Sequence, residues 1–215
     1  MTSIFLRAAS HWAQRLAFGV AMLTLTACSA LRPPAPQPTA FYSLDRQSSQ
    51  SVPPTQGMAA QSLLTLIVNP PQAVSGFDSQ RIMYVREDHK LEYFAHSEWV
   101  DPPARMLGPL LVAAIDKVGA FGTVVLTPAS VSGELRLDTQ ILRLQQNFQT
   151  SPSRVQFTLR AYLTDEKTRV VLAWREFSAE ATASSDNAQG GVNAANRVVQ
   201  DVLALLAQFL ATTSR

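Results

Sequence analysis

The stretch VQFTLRAYLTDEKTRVVLAWREFSA, residues 155–179, decides the reading of the fold. Val155, Phe157, Leu159, Ala161 and Leu163 recur at every second position, so an extended chain gathers them on one face and leaves the other wet. Residues 164–168, Thr-Asp-Glu-Lys-Thr, are turn formers, and residues 169–179 bring the chain back. The stretch therefore predicts an antiparallel hairpin buried on one side. Upstream, Leu135, Leu137, Thr139 and Ile141 alternate before the phase slips to Leu142 and Leu144, which predicts a third strand carrying a β-bulge. Residues 123–126 read as a short strand before it.

The first half follows the same order. Residues 41–44 are strand-like, and residues 46–61, with Pro53-Pro54, read as a loop. Residues 63–68 form an apolar run stopped by Asn69-Pro70-Pro71, as a buried strand would. Residues 81–86 and 90–95 flank Glu87-Asp88-His89 and predict a second hairpin with a polar turn. Asp101-Pro102-Pro103 then opens a helix, with Asp101 expected as N-cap. Ala104, Leu107, Leu111, Ala114, Val118 and Phe121 step by three and four, giving one apolar face, and Gly119 is placed to close it. Pro109 predicts a kink, or a start nearer Gly108. A polar break at residues 183–191 precedes a second helix, where Val192, Ala195, Val199, Val202, Leu206 and Phe209 repeat the spacing. The expected fold class is α+β: a largely antiparallel sheet built from two hairpin-containing halves, with two amphipathic helices packed on one face.

Ahead of this domain the chain has a different character. Arg7, His11 and Arg15 give a basic start, and residues 16–25 are an apolar run too short to span a bilayer, which needs about 20 residues. Small residues follow, and the pattern is that of a secretory signal. Leu25-Thr26-Ala27-Cys28 resembles the bacterial lipobox of Gram-negative lipoproteins, and Cys28 is the one cysteine among 215 residues. The resemblance implies processing guided by Leu25, Thr26 and Ala27, a diacylglyceryl group on the Cys28 thiol and usually an acyl chain such as palmitate on the new amino terminus. Two or more chains hold a protein stably on a membrane. Cys28 has no disulfide partner in the chain. Ser29, rather than Asp, follows it, which in the sorting rule of enteric bacteria points to the periplasmic face of the outer membrane. Residues 28–40 carry a proline-rich tether that, at about 3.1 Å per residue, reaches roughly 35–40 Å. The expected organisation is thus a signal peptide at 1–27, a lipidated tether at 28–40 and one domain at 41–212.

Removing residues 1–27 leaves 188 residues, in which 16 Lys and Arg balance 16 Asp and Glu. The formal net charge of +2 belongs to the signal, and the domain shows no basic excess that would predict a nucleic-acid partner. No phosphate loop, zinc-ligand spacing or nucleophile elbow occurs, so no cofactor, metal or catalytic residue is assigned and no enzyme is expected. His89 and His96 read as surface hairpin residues, and Glu87-Asp88 as a solvated turn. Tyr93, Phe94 and Trp99 read either as a lipid- or partner-facing aromatic patch or as core beside the first helix.

One longer stretch carries a resemblance: GFDSQRIMYVREDHKLEYFAHSEWVDPPARML, residues 76–107. With Phe41-Tyr42-Ser43-Leu44 after the lipobox, residues 136–139, Val171-Leu172-Ala173-Trp174 and residues 190–196, it resembles the ABC-type transport auxiliary lipoprotein family, which includes the paraquat-inducible protein C lipoproteins. That resemblance implies an auxiliary role beside a transporter of the mammalian-cell-entry (MCE) type moving phospholipid between the two membranes. It implies an MCE-domain periplasmic protein as partner, attachment to the membrane through N-terminal acyl chains, and a homo-oligomer as one possible assembly. It carries no catalytic residues. Two other classes fit the same residues: an assembly or plug lipoprotein of another outer-membrane machine, and a periplasmic enzyme of unfamiliar type.

Overall fold

The computed structural model describes residues 37–45 and 64–213. The expected signal, its processing site, Cys28, most of the tether and the loop at 46–61 lie outside these residues.

Three long strands form an antiparallel meander: β7 (Leu135–Asn147), β8 (Arg154–Asp165) and β9 (Val171–Thr182). Their alternating sequence becomes alternating burial. Val155, Phe157, Leu159, Ala161 and Leu163 are all buried, and the residues between them are not. The expected bulge lies at Leu142, where the register passes from Ile141↔Leu159 to Arg143↔Thr158. Beyond it Leu144 and Gln146 take the inward positions. The β8–β9 turn is closed by Asp165, whose carboxylate accepts from the Thr168 amide at 2.6 Å and its hydroxyl at 2.8 Å. Arg169 there adopts φ 62°, the left-handed region.

The first half supplies five short or medium strands, β1 (Ala40–Tyr42), β2 (Thr65–Val68), β3 (Gln72–Ala73), β4 (Arg81–Glu87) and β5 (Lys90–Trp99), and the second half adds β6 (Thr123–Leu126). The hairpin β4–β5 is antiparallel, as expected, with His89 at its tip at φ 63°. What the sequence did not predict is how the two halves join. β2 lies parallel between β6 and β7, β3 and β4 run parallel to later segments of β7, and β1 runs parallel to β5. The two halves thus share one mixed, open sheet of nine strands among the described residues, in which the longest pairings are antiparallel.

Both helices cover the inward face. α1 (Pro103–Val118) buries Pro103, Leu107, Gly108, Leu111 and Ile115. This stripe is rotated from the expected one: Ile115 is buried while Val118 is 41% exposed. Asp101 does not cap the helix. The N-cap is Pro102, without a side-chain hydrogen bond, and Asp101 stands one residue too early, pairing instead with Arg105 at 3.0 Å. The helix runs through Pro109 from its start at Pro103, so a start near Gly108 is not what forms. Gly119 ends it at φ 67°, as anticipated.

α2 (Ala188–Thr213) begins four residues before Val192, because Asn187 caps it by accepting from the Gly190 amide at 2.9 Å. Its apolar face packs on β8 and β9 and touches α1. Phe209 meets Phe177 of β9 edge-on at 5.6 Å. The opposite face of β7–β9 carries no helix among the described residues.

Candidate functional site

A cleft of about 570 Å³ opens beside that face. It originates at a break in the pairing along β7. β2 pairs with β7 up to Leu137, and β3 resumes pairing at Gln140. Between them run Asn69, Pro70 and Pro71. The Asn69 amide still donates to the Leu137 carbonyl at 2.9 Å, but the two prolines have no amide hydrogen to continue the ladder. The gap opens beside Asp138, Gln140 and Tyr162, which line the cleft with Asn69, Pro70, Pro71, Gln72 and the buried Thr139.

Strand register sets the floor. Asp138 lies opposite Tyr162, and Tyr162 opposite Trp174, so the three side chains form one row across β7, β8 and β9. The Tyr162 and Trp174 rings stack at 6.3 Å with an interplanar angle of 27°, and Trp174 is 61% exposed. A register shift at Leu172 pairs Val171 with Thr164, which turns Val171 to the same side. Gln72 pairs with Gln140 and Gln140 with Arg160 in the next row.

A polar chain fixes one wall. Asn69 donates to Asp138 Oδ1 at 2.7 Å, and its own Oδ1 accepts from Arg136 at 2.9 Å and from Thr127 at 3.2 Å. Arg136 in turn grips Glu166 through two nitrogens. The Asn69 carboxamide is therefore held at both ends, and Asp138 keeps one oxygen free of it.

The Arg136 guanidinium, by direct hydrogen bonding, lowers the Glu166 carboxyl below its ordinary value of 4.5. A carboxyl depressed on folding adds stability that is complete above its unfolded value and fades as pH falls through the folded one. Thermal stability is expected to drop on acidification below about pH 4.5, and Glu166→Gln should flatten that part of a Tm-against-pH curve. An unchanged acid slope in the variant would show that the pair is not linked to folding.

The side chains expected from the sequence lie elsewhere. Cys28, Leu25, Thr26 and Ala27 lie outside the described residues. His89 and His96 are exposed on the β4–β5 hairpin, and no group of three metal-ligating side chains occurs among the described residues. Glu87 pairs with Lys90 at 3.4 Å, whereas Asp88 accepts from Gln149 at 2.7 Å, so the two carboxylates serve separate partners. Tyr93, Phe94 and Trp99 are not brought into one patch. Trp99 is buried, Phe94 joins Tyr84 and Phe148 in a ring cluster, and Tyr93 is exposed beneath Arg81. The cleft residues were missed because their meeting depends on register. The available signal was Asp138, Gln140 and Tyr162 on the polar phase of their strands, next to a Pro-Pro break.

No curated protein matches the chain. Among solved structures, protein XCC0632 from Xanthomonas campestris superposes with a TM-score of 0.66 at 22% identity, covering 71% of this chain and 86% of that one. A second, of an uncharacterized protein, gives 0.62 at 13% identity over 81% of this chain and 99% of that one. At these identities the likeness is one of fold. The model of the ABC-type transport auxiliary lipoprotein component family matches residues 42–207, nearly the whole folded domain and the same region that carried the sequence resemblance, so the chain belongs to that family.

Proposed function

We propose that the protein is a membrane-anchored periplasmic lipoprotein serving an ABC/MCE-type system that moves phospholipid between membranes, and that it docks the periplasmic conduit at the outer membrane. Family membership over residues 42–207 is the observation that carries this reading. The sequence around Cys28 supports the anchor. Among the described residues no helix is long and apolar enough to cross a membrane, which suits attachment through acyl chains. In this reading the protein is not an enzyme. The acyl chains fix the place, the tether gives reach, and the domain presents a docking surface.

The anchor is tested by labelling cells with palmitate and fractionating their membranes. The wild-type chain should take up label and sediment with the outer membrane. Cys28→Ala should take up none and appear in the soluble periplasmic fraction. A labelled Cys28→Ala chain, or a wild-type chain confined to the inner membrane, contradicts the placement.

A further inference from the structure

We infer that the cleft beside Asp138 binds a saccharide, an activity beyond the transport role proposed above. The chemistry of its lining selects this ligand class. Tyr162 lines the cleft, and the exposed Trp174 stacked on it extends an aromatic surface from the cleft's rim, which accepts the C–H face of a pyranose ring. Gln72 and Gln140 carry carboxamides, each able to donate and accept, and neither is engaged by another described residue. Asp138 offers a carboxylate oxygen aimed by Asn69, and Asn69 is itself locked by Arg136 and Thr127. One acceptor fixed in advance and two unengaged carboxamides beside a ring-stacking surface match the vicinal hydroxyls and apolar face of a sugar. A volume of about 570 Å³ falls within the range of small-ligand sites and exceeds one sugar ring.

Other ligand classes fit worse. A phosphate-bearing ligand would meet the Asp138 carboxylate, while the nearby cations are already taken: Arg136 by Glu166, and Arg160 by Glu176 at 2.6 Å. An acyl chain would strip water from Asp138 and both carboxamides without replacing their hydrogen bonds.

The test uses the full-length lipoprotein in a sugar-free detergent, titrated calorimetrically with maltotriose and tri-N-acetylchitotriose. A parallel arm measures sedimentation with vesicles that contain, or lack, a glucosyl-headed lipid. Saturable binding to a soluble trisaccharide assigns the site to free glycans. Binding confined to the sugar-headed vesicles assigns it to a glycolipid headgroup. In either case Trp174→Ala and Gln140→Ala should each weaken binding about tenfold or more. Neither side chain is part of the buried core or of the Asn69–Arg136 chain, so circular dichroism should show both variants folded. Absence of binding to every sugar probe, or binding that both folded variants retain in full, overturns the inference.

Discussion

Phe157→Ala is expected to destabilise the domain by about 3–5 kcal/mol. Phe157 is fully buried in the first half of β8, opposite Leu144 on β7 and Ala179 on β9, under the strand face that α2 covers. Three elements meet around it, and none can close on the space without breaking its own register, so the cavity persists. Domain stabilities are typically about 5–15 kcal/mol, so the loss takes a large share of the total. Denaturant unfolding should show the midpoint shifted with its slope retained. A cost below about 1 kcal/mol would mean that α2 does not pack on β8 as described.

The second large effect concerns the start of α2. Replacing a helical glycine by alanine ordinarily stabilises a helix by about 1 kcal/mol. At Gly190 and Gly191 the sign should reverse. A Cβ on Gly190 would strike the Ser185 backbone, and one on Gly191 would strike the Gln146 carboxamide. Gln146 is itself buried and donates to the Ser153 hydroxyl at 2.8 Å, while the Ser153 amide donates to Asp186 at 2.8 Å. Overpacking of this kind costs about 1–3 kcal/mol and occasionally more. Gly190→Ala should lie at the upper end, because backbone cannot step aside as a side chain can. Gly191→Ala should be partly rescued by Gln146→Ala, giving a coupling of about 0.5–3 kcal/mol in a double-mutant cycle. Additive single and double variants would show that the two residues do not meet.

These sites mark what the sequence could and could not convey. The period of two in residues 155–163 and the slip after Ile141 are local signals, and they became β8 and the bulge in β7 because burial on one face enforces the same period. The helix faces were legible for the same reason, although Val118 shows that a three-four pattern does not fix the rotation of a helix on its sheet. The parallel placement of β2 between β6 and β7 was not legible. It joins segments some sixty residues apart, as in Leu66↔Val124 and Leu66↔Leu135, and no residue in either names the other. The cleft shares that limit: Asp138, Tyr162 and Trp174 form a row only once β7, β8 and β9 are in register. Neighbouring strand residues point to opposite faces, so Tyr93 and Phe94 could not share a patch, and that much was readable.

The domain buries its core under the two helices and leaves the other face of β7–β9 open. The proposed role stands or falls on what it docks. The decisive measurement is crosslinking of the full-length lipoprotein in intact cells, followed by purification from membranes and identification of the bound proteins by mass spectrometry. The proposed role requires an MCE-domain periplasmic protein crosslinked to the wild-type chain and strongly depleted with Cys28→Ala. Recovery of another outer-membrane machine, with no component of an MCE transporter, would contradict it.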